Sequence, residues 1–586
     1  MFFGQCASFE QDLWLCRAFR AVSVTEVTAK VKGTTMRKIA TAIAAAVVAA
    51  GVGFIAPAAS SAATTQETSA AQSVSAQTSS ITWGTCAEKA LAQAGAKCGY
   101  LAVPLNYSDP GGPKIKIAVS RILHTSSAKN YRGIILTNPG GPGGSGLDLN
   151  MFLIAQLKAD KLSAAAADYD WIGFDPRGVG SSIPAISCEP NYFSGDRESY
   201  DPTTKSILNY WLTRSQGYDQ ACAAKSSAQS ALLDNMTTVD SAQDMNSIRC
   251  ALVGQGGKMS YYGFSYGTYL GQVYATLYPH TLNQLILDSN VDPRQVWYQA
   301  NLNQDIAFNR NINIWFGWLA KYNRVYHLGA TEAAVSKRWY AELATLAKHP
   351  ISGVVGPDEW TDIFLEAGYY QLTWLQLGSA FADWENTRSK AAAANLVSLY
   401  QGTDTPGNDN EFAVYNAVQC TDVQWPTSWP VWQADNDAVN RIAPFETWDN
   451  AWFNAPCLNW PAPAQQPVQV ASQGSGYAIH SALLIDETLD AATPFEGSLE
   501  VRQLFPNSVL LAEPGGTTHA DSLFGNLCVD GAIASYLETG KTPPRKPGAE
   551  WDLTCKPLPV PNPTAASGAA AASASGSARS GVASIR

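Results

Sequence analysis

Gly263-Phe-Ser-Tyr-Gly267 sets a serine between two glycines, after the short run Met259–Tyr262 and before an apolar stretch reaching Tyr278. Read as strand, turn and helix, this is a G-x-S-x-G bend from which Ser265 projects, the glycines letting neighbouring backbone approach it. The N-terminus of the following helix favours negative charge at that point. A serine hydroxyl is a weak nucleophile until an imidazole takes its proton and a carboxylate holds that imidazole. The imidazole can be sought by elimination, because the chain has six histidines. His124 precedes the serine, His280 ends the helix after it, and His327 and His349 fall in a helical region. His480 comes before both candidate acids, which leaves His519, in a Gly-rich loop after the late apolar run Val509–Ala512. Asp486 and Asp490 compete for the carboxylate role near one strand end, and the turn Leu489-Asp-Ala-Ala-Thr-Pro494 favours Asp490.

The elements that must position these groups alternate between strand and helix. Arg132–Thr137 is a continuous apolar run of the kind found in buried parallel strands. It leads into Asn138-Pro-Gly-Gly-Pro-Gly-Gly-Ser-Gly146, which lacks the Gly-Lys-Ser/Thr of a phosphate loop and the G-x-G-x-x-G spacing with its acid. It reads instead as an oxyanion loop, with the N–H of Gly141 joining that of Tyr266 where a tetrahedral intermediate gathers charge. Tyr169–Gly178 supplies a further strand and a sharp turn, in which Asp175 and Arg177 read as a structural ion pair. A polar, mostly helical insertion (184–234), a helix at Thr238–Leu252 and a strand at Leu282–Ser289 follow, and strand signals return at Tyr477–Ile485. This order predicts a mostly parallel, doubly wound α/β sheet with its chemistry at the strand C-terminal ends. Between Arg294 and Pro467 helical periods dominate and 13 of the 18 tryptophans occur. That segment reads as a helical insertion that is both an aromatic core and a lid excluding water from the site. The core then comprises 83–293 and 468–559, split by a lid at 294–467, with an Ala/Ser/Gly tail at 560–586.

The formal charge of −10, with no basic cluster in the body of the chain, argues against nucleic-acid binding. Met36-Arg-Lys begins a stretch that turns apolar and ends in small residues near Ala58–Ala63, the pattern of a secretory signal peptide at 36–63. Residues 1–35 then read as upstream of the true start and 64–82 as a linker, giving a secreted protein with no stable membrane association. Nine of the 11 cysteines follow that point, and export makes disulfides the default. Local spacing pairs Cys86 with Cys98, Cys420 with Cys457 and Cys528 with Cys555. Of Cys188, Cys222 and Cys250, the first two are the expected pair and Cys250, in a helix read as packed beneath the sheet (Met245–Leu252), the candidate free thiol. No C-x-x-C occurs, so no metal is expected.

Four motifs together resemble a known family: Asn138–Gly146, Gly173-Phe-Asp-Pro-Arg-Gly-Val-Gly180, Gly263-Phe-Ser-Tyr-Gly-Thr-Tyr269 and Leu489–Pro494. The chain is similar to the secreted tripeptidyl aminopeptidases, α/β-hydrolases related to prolyl iminopeptidase, over roughly residues 83–557. The resemblance implies an α/β-hydrolase fold with a large helical lid, peptide substrates, no cofactor, and release of short N-terminal fragments. By it Ser265 is the nucleophile, Asp490 the acid and His519 the base. Thr518 stands where the family usually has Gly before the histidine, and Pro139 where prolyl iminopeptidases carry His. An exopeptidase must also read a free α-ammonium, and Glu385, Glu411 and Asp422 are the lid carboxylates considered for it. An esterase or lipase would use the same three residues. A non-catalytic binding protein is the reading from another class, against which the intact order of the three residues argues.

Overall fold

The structure is a computed structural model describing residues 80–225, 227–403 and 407–564. The expected leader, the signal peptide, nearly all of the linker and the tail from 565 onward lie outside the described residues. Ten strands form one sheet: β1 (Gly84–Thr85), β2 (Lys97–Pro104), β3 (Lys114–Ile122), β4 (Ile134–Asn138), β5 (Asp170–Phe174), β6 (Met259–Phe264), β7 (Leu282–Asp288), β8 (Ala482–Glu487), β9 (Ser508–Glu513) and β10 (Leu553–Thr554). Their spatial order is β1-β2-β3-β5-β4-β6-β7-β8-β9-β10. β2 and β3 pair antiparallel, and every pairing from β5 through β10 is parallel.

β4, β6, β8 and β9 are buried at every residue, as strands covered on both faces must be. Their side chains alternate between two cores. Leu136, Tyr261, Leu287 and Leu484 pack on one face with the helices Thr238–Val253 and Tyr266–Leu277. Ile135, Tyr262, Ile286 and Leu483 pack on the other with Leu149–Ala159 and Leu527–Thr539. Thr237 starts the first of these helices with a capping box, its hydroxyl taking the Asp240 N–H while the Asp240 carboxylate takes its own. At the expected strand Tyr477–Ile485 the first residues instead close a helical turn, Ser475–Ala478, and β8 starts at Ala482. Gly474 and Gly476 sit at that turn, and Gly476 lies too close to the Leu504 carbonyl to carry a side chain.

Among the described residues, the named elements between β7 and β8 are all helical, from Tyr298–Lys321 through Thr447–Asn454 and on to Ser475–Ala478, with one isolated bridge at Ile351–Val355. The insertion has its own core, in which Trp315, Trp339 and Trp360 are fully buried around Phe364 and Phe381. Ala491 and Ala492, beside the candidate acid, belong to that same core. A second aromatic stack joins the insertion to the 184–234 segment: Trp452 lies 5.7 Å from Trp211 and 4.9 Å from Trp429, ring on ring. Arg197, buried, pairs with Glu359 and Asp362 of the helix Pro357–Tyr369 and anchors the same junction.

The disulfides are Cys86–Cys98, Cys188–Cys222, Cys420–Cys457 and Cys528–Cys555, and Cys250 is a buried free thiol. They close loops of 12 to 37 residues, each worth about 3–4 kcal/mol in the chain-entropy account. Among the described residues no helix is long and apolar enough to cross a membrane.

Candidate active site

Ser265 occupies the bend between β6 and the helix Tyr266–Leu277 with φ 54° and ψ −127°. A non-glycine residue holds such a conformation only where its surroundings enforce it. Here the enforcement is visible: the Ser265 N–H donates to the Asp288 carbonyl at 3.0 Å, at the end of β7. A Cβ on Gly263 would stand 2.4 Å from the Gly267 carbonyl oxygen, so the first flanking glycine is sterically required. Ser265 borders a cavity of about 640 Å³ together with Gly141, Tyr266, Tyr369 and Glu411.

His519 follows β9 in a loop fixed from three sides. Its own N–H donates to the Tyr369 carbonyl at 2.9 Å, Ala520 donates to Ser289 Oγ at 2.8 Å, and Ser522 donates to the Asp288 carboxylate at 2.9 Å. Burial pushes the Asp288 carboxyl up to about 6. The His519 ring is 1% exposed, with Nδ1 2.8 Å from Asp490 Oδ2. Asp490 is fully buried, and its carboxylate also takes the N–H groups of Ala492 (2.8 Å) and Thr493 (3.1 Å) and the Thr493 hydroxyl (2.9 Å). Four converging donors supply the partners that a buried carboxylate requires. Asp486 is bound elsewhere, to the Ser498 hydroxyl at 2.5 Å, and makes no contact with the imidazole. His519 Nε2 is buried and carries no hydrogen bond. Bonds between a base and its nucleophile commonly tighten only with substrate present.

The glycine loop comes to the same point. The Gly140 N–H is taken by Asn138 Oδ1 at 3.0 Å, and Tyr266, first in its helix, has no intrahelical acceptor for its N–H. Gly140 has φ 106°, and a Cβ there would lie 2.9 Å from Ser265 Cβ and 3.1 Å from the Tyr266 nitrogen. The far end of the loop is braced by Asp175, which takes the Ser145 hydroxyl at 2.6 Å and the Gly146 N–H at 3.1 Å. Asp175 and Arg177 are therefore not the expected local pair. Arg177, fully buried, forks onto Asp244 of the helix Thr238–Val253 with both contacts at 2.8 Å, and Asp240 of the same helix lies 3.7 Å away.

Of the three lid carboxylates considered for an α-ammonium, Glu411 alone lines the cavity. Glu385 is corrected: it pairs with Arg388 at 2.8 Å beyond the cavity wall, and burial first, then Glu342, pushes it up to about 7. Asp422 is corrected too. It lies beneath Tyr266, taking the Thr238 N–H (2.7 Å), the Thr238 hydroxyl (2.6 Å) and the Trp297 indole N–H (3.1 Å). Thr238 in turn touches the Tyr266 hydroxyl at 2.9 Å, so Asp422 props the elbow and does not face a ligand. The wall instead carries Glu366, Glu446 and Asp449, which nothing in the local sequence had singled out.

One further carboxylate group lies under the histidine loop. Glu487 and Glu513 are register partners at the ends of β8 and β9, and with Asp521 they bring their oxygens within 4.8 Å of one another. Burial pushes all three upward; the Asp521 charge raises Glu487 and Glu513 further, Glu513 to about 10, while Asp288 adds to the rise of Asp521 to about 7 and its hydrogen bonds to the two glutamates oppose it.

Residues 133–348 match the family model described as alpha/beta hydrolase fold, and residues 443–550 match the one described as TAP-like protein. The chain is 38% identical over 487 residues to a tripeptidyl aminopeptidase of Streptomyces lividans, covering 81% of this chain and 87% of that protein. It is 28% identical over 469 residues to the serine protease Hip1 of Mycobacterium tuberculosis, covering 77% and 86%. A carboxylesterase B of the same organism is 27% identical over 464 residues, covering 77% and 85%.

Proposed function

This chain belongs to the tripeptidyl aminopeptidase family of α/β-hydrolases, and on that premise we propose that Ser265, His519 and Asp490 form the triad with which it cleaves peptides near their N-termini. The observation carrying the reading is the 2.8 Å contact between His519 Nδ1 and Asp490 Oδ2, both buried, in a chain whose Ser265 is held at a strained strand-to-helix elbow. Ser265 Oγ attacks the scissile carbonyl while His519 Nε2 takes its proton and returns it to the leaving amine. Asp490 fixes the tautomer through Nδ1. The N–H groups of Tyr266 and Gly141 receive the oxyanion, a donor of this kind being worth on the order of 10²–10³ in rate. Water then repeats the sequence on the acyl-enzyme.

The helical insertion serves as the lid, and its carboxylates Glu411, Glu366, Glu446 and Asp449 give the cavity the sign that an α-ammonium requires. Four disulfides support a place outside the reducing cytoplasm, with the 36–63 segment as its export signal. The second reading, carboxylic ester hydrolysis, draws on the carboxylesterase likeness and on a triad that does not itself distinguish amide from ester.

One substrate series separates them. A tripeptidyl amide with a free amine will be turned over faster (kcat/KM) than its N-acetylated counterpart by about 10²-fold, the weight of one charge-assisted contact of ~3 kcal/mol. It will also exceed short acyl esters. Faster turnover of simple esters, or indifference to acetylation, overturns the aminopeptidase reading.

A further inference from the structure

The loops carrying His519 and Asp490 are not held by the sheet alone. Asn311 is fully buried in the middle of the insertion helix Tyr298–Lys321. Its side-chain amide nitrogen faces three carbonyl oxygens from three different segments: Leu489 at 2.9 Å, Gly368 at 3.2 Å and Thr517 at 3.3 Å. Leu489 immediately precedes Asp490, and Thr517 lies two residues before His519. Gly368 and Tyr369 end the helix Pro357–Tyr369, where carbonyls lack intrahelical donors. Gly368 gives its oxygen to Asn311, and Tyr369 gives its own to the His519 N–H at 2.9 Å. Arg310 fixes the amide's orientation, donating from Nε to Asn311 Oδ1 at 2.9 Å, and its guanidinium donates to the shared Leu489 carbonyl at 2.5 Å and to the Asp490 carbonyl at 2.9 Å.

We propose that Asn311 is a positioning residue for the triad: one amide sets the separation of the acid loop and the base loop, and so the Asp490–His519 contact. The chemical argument is one of number. An amide nitrogen has two hydrogens, and three acceptors can share them only while the three carbonyls keep their present arrangement. Moving the base loop away takes the Asn311 donor from the buried Thr517 carbonyl, and moving the acid loop takes one of two donors from Leu489, both costly. The helix Tyr298–Lys321 therefore belongs to the catalytic framework, and it stays in place while substrate enters. This inference rests on the triad reading above.

Its test uses the full-length protein and a tripeptidyl amide. Asn311→Asp keeps the shape, removes both donors and sets a carboxylate against three carbonyl oxygens. It will lower kcat about 10- to 100-fold with KM within twofold, and the rate of fluorophosphonate inactivation will fall in step. Ile312→Ala, the next residue on the same helix and packed only in the insertion core, serves as the stability control. It will lower Tm yet keep kcat within twofold at temperatures below unfolding. Should Asn311→Asp not fold, Asn311→Ser, neutral and smaller, carries the same comparison. A kcat for the Asn311 variant within twofold of wild type, or a loss matched by Ile312→Ala, overturns the proposal. It does so without touching the triad, provided Asp490→Asn is inactive in the same assay.

Discussion

Asp490→Asn will lower kcat about 10⁴-fold on a tripeptidyl amide, the size of loss that follows when a triad carboxylate is made an amide in another serine protease. The fold will survive, because an asparagine oxygen can still take the Ala492 and Thr493 N–H groups that hold the turn. What changes is the partner of His519 Nδ1. An amide that presents N–H to it favours the tautomer with the proton on Nε2, which cannot accept from Ser265. The matched control is Asp486→Asn. Four residues earlier, with Oδ2 on the Ser498 hydroxyl, it will change stability while leaving kcat within a few-fold of wild type. The comparison of kcat for the two variants, with Tm measured alongside, decides between acids that look alike in the sequence.

Gly140→Ala will cost about 10²–10³-fold in kcat, the effect of removing one oxyanion donor, with a smaller change in KM. The added carbon would meet the Phe264 carbonyl oxygen at 2.6 Å, Ser265 Cβ at 2.9 Å and the Tyr266 nitrogen at 3.1 Å, none of which can yield without deforming the elbow. The residue's φ of 106° is also one that an alanine resists. The loop must therefore retreat, and the Gly141 N–H goes with it. Gly531→Ala, in the helix Leu527–Thr539 with nothing within 4 Å of the new carbon, will leave the kinetics unchanged. Equal kcat for Gly140→Ala and wild type would remove the loop from the mechanism.

Much of this site was legible because its signals are local. A strand, a glycine-flanked serine and a helix occupy consecutive residues, and few histidines left one that could follow the acids. The sheet was legible for the same reason, since strands buried on both faces read as unbroken apolar runs. Pairings across the chain were not. Arg177 finds Asp244, 67 residues away, where the sequence offered only the nearby Asp175. The lid carboxylates failed for a related reason. Helical period shows that Glu385 and Glu411 lie on amphipathic helices, but not which stripe turns to the cavity and which to a neighbouring arginine. Asn311 is the extreme case. A single asparagine in a helix carries no signal, and its role arises only when three loops distant in sequence converge on it.

The account stands on Ser265 as the nucleophile, and labelling by a fluorophosphonate tests that most directly. Peptide mapping of the labelled protein will place the adduct on Ser265, and Ser265→Ala will abolish labelling. Ser260→Ala will label at the wild-type rate, since Ser260 is buried five residues earlier with its hydroxyl on Gln284 at 3.0 Å. An adduct on any other residue, or undiminished labelling of Ser265→Ala, would contradict the account.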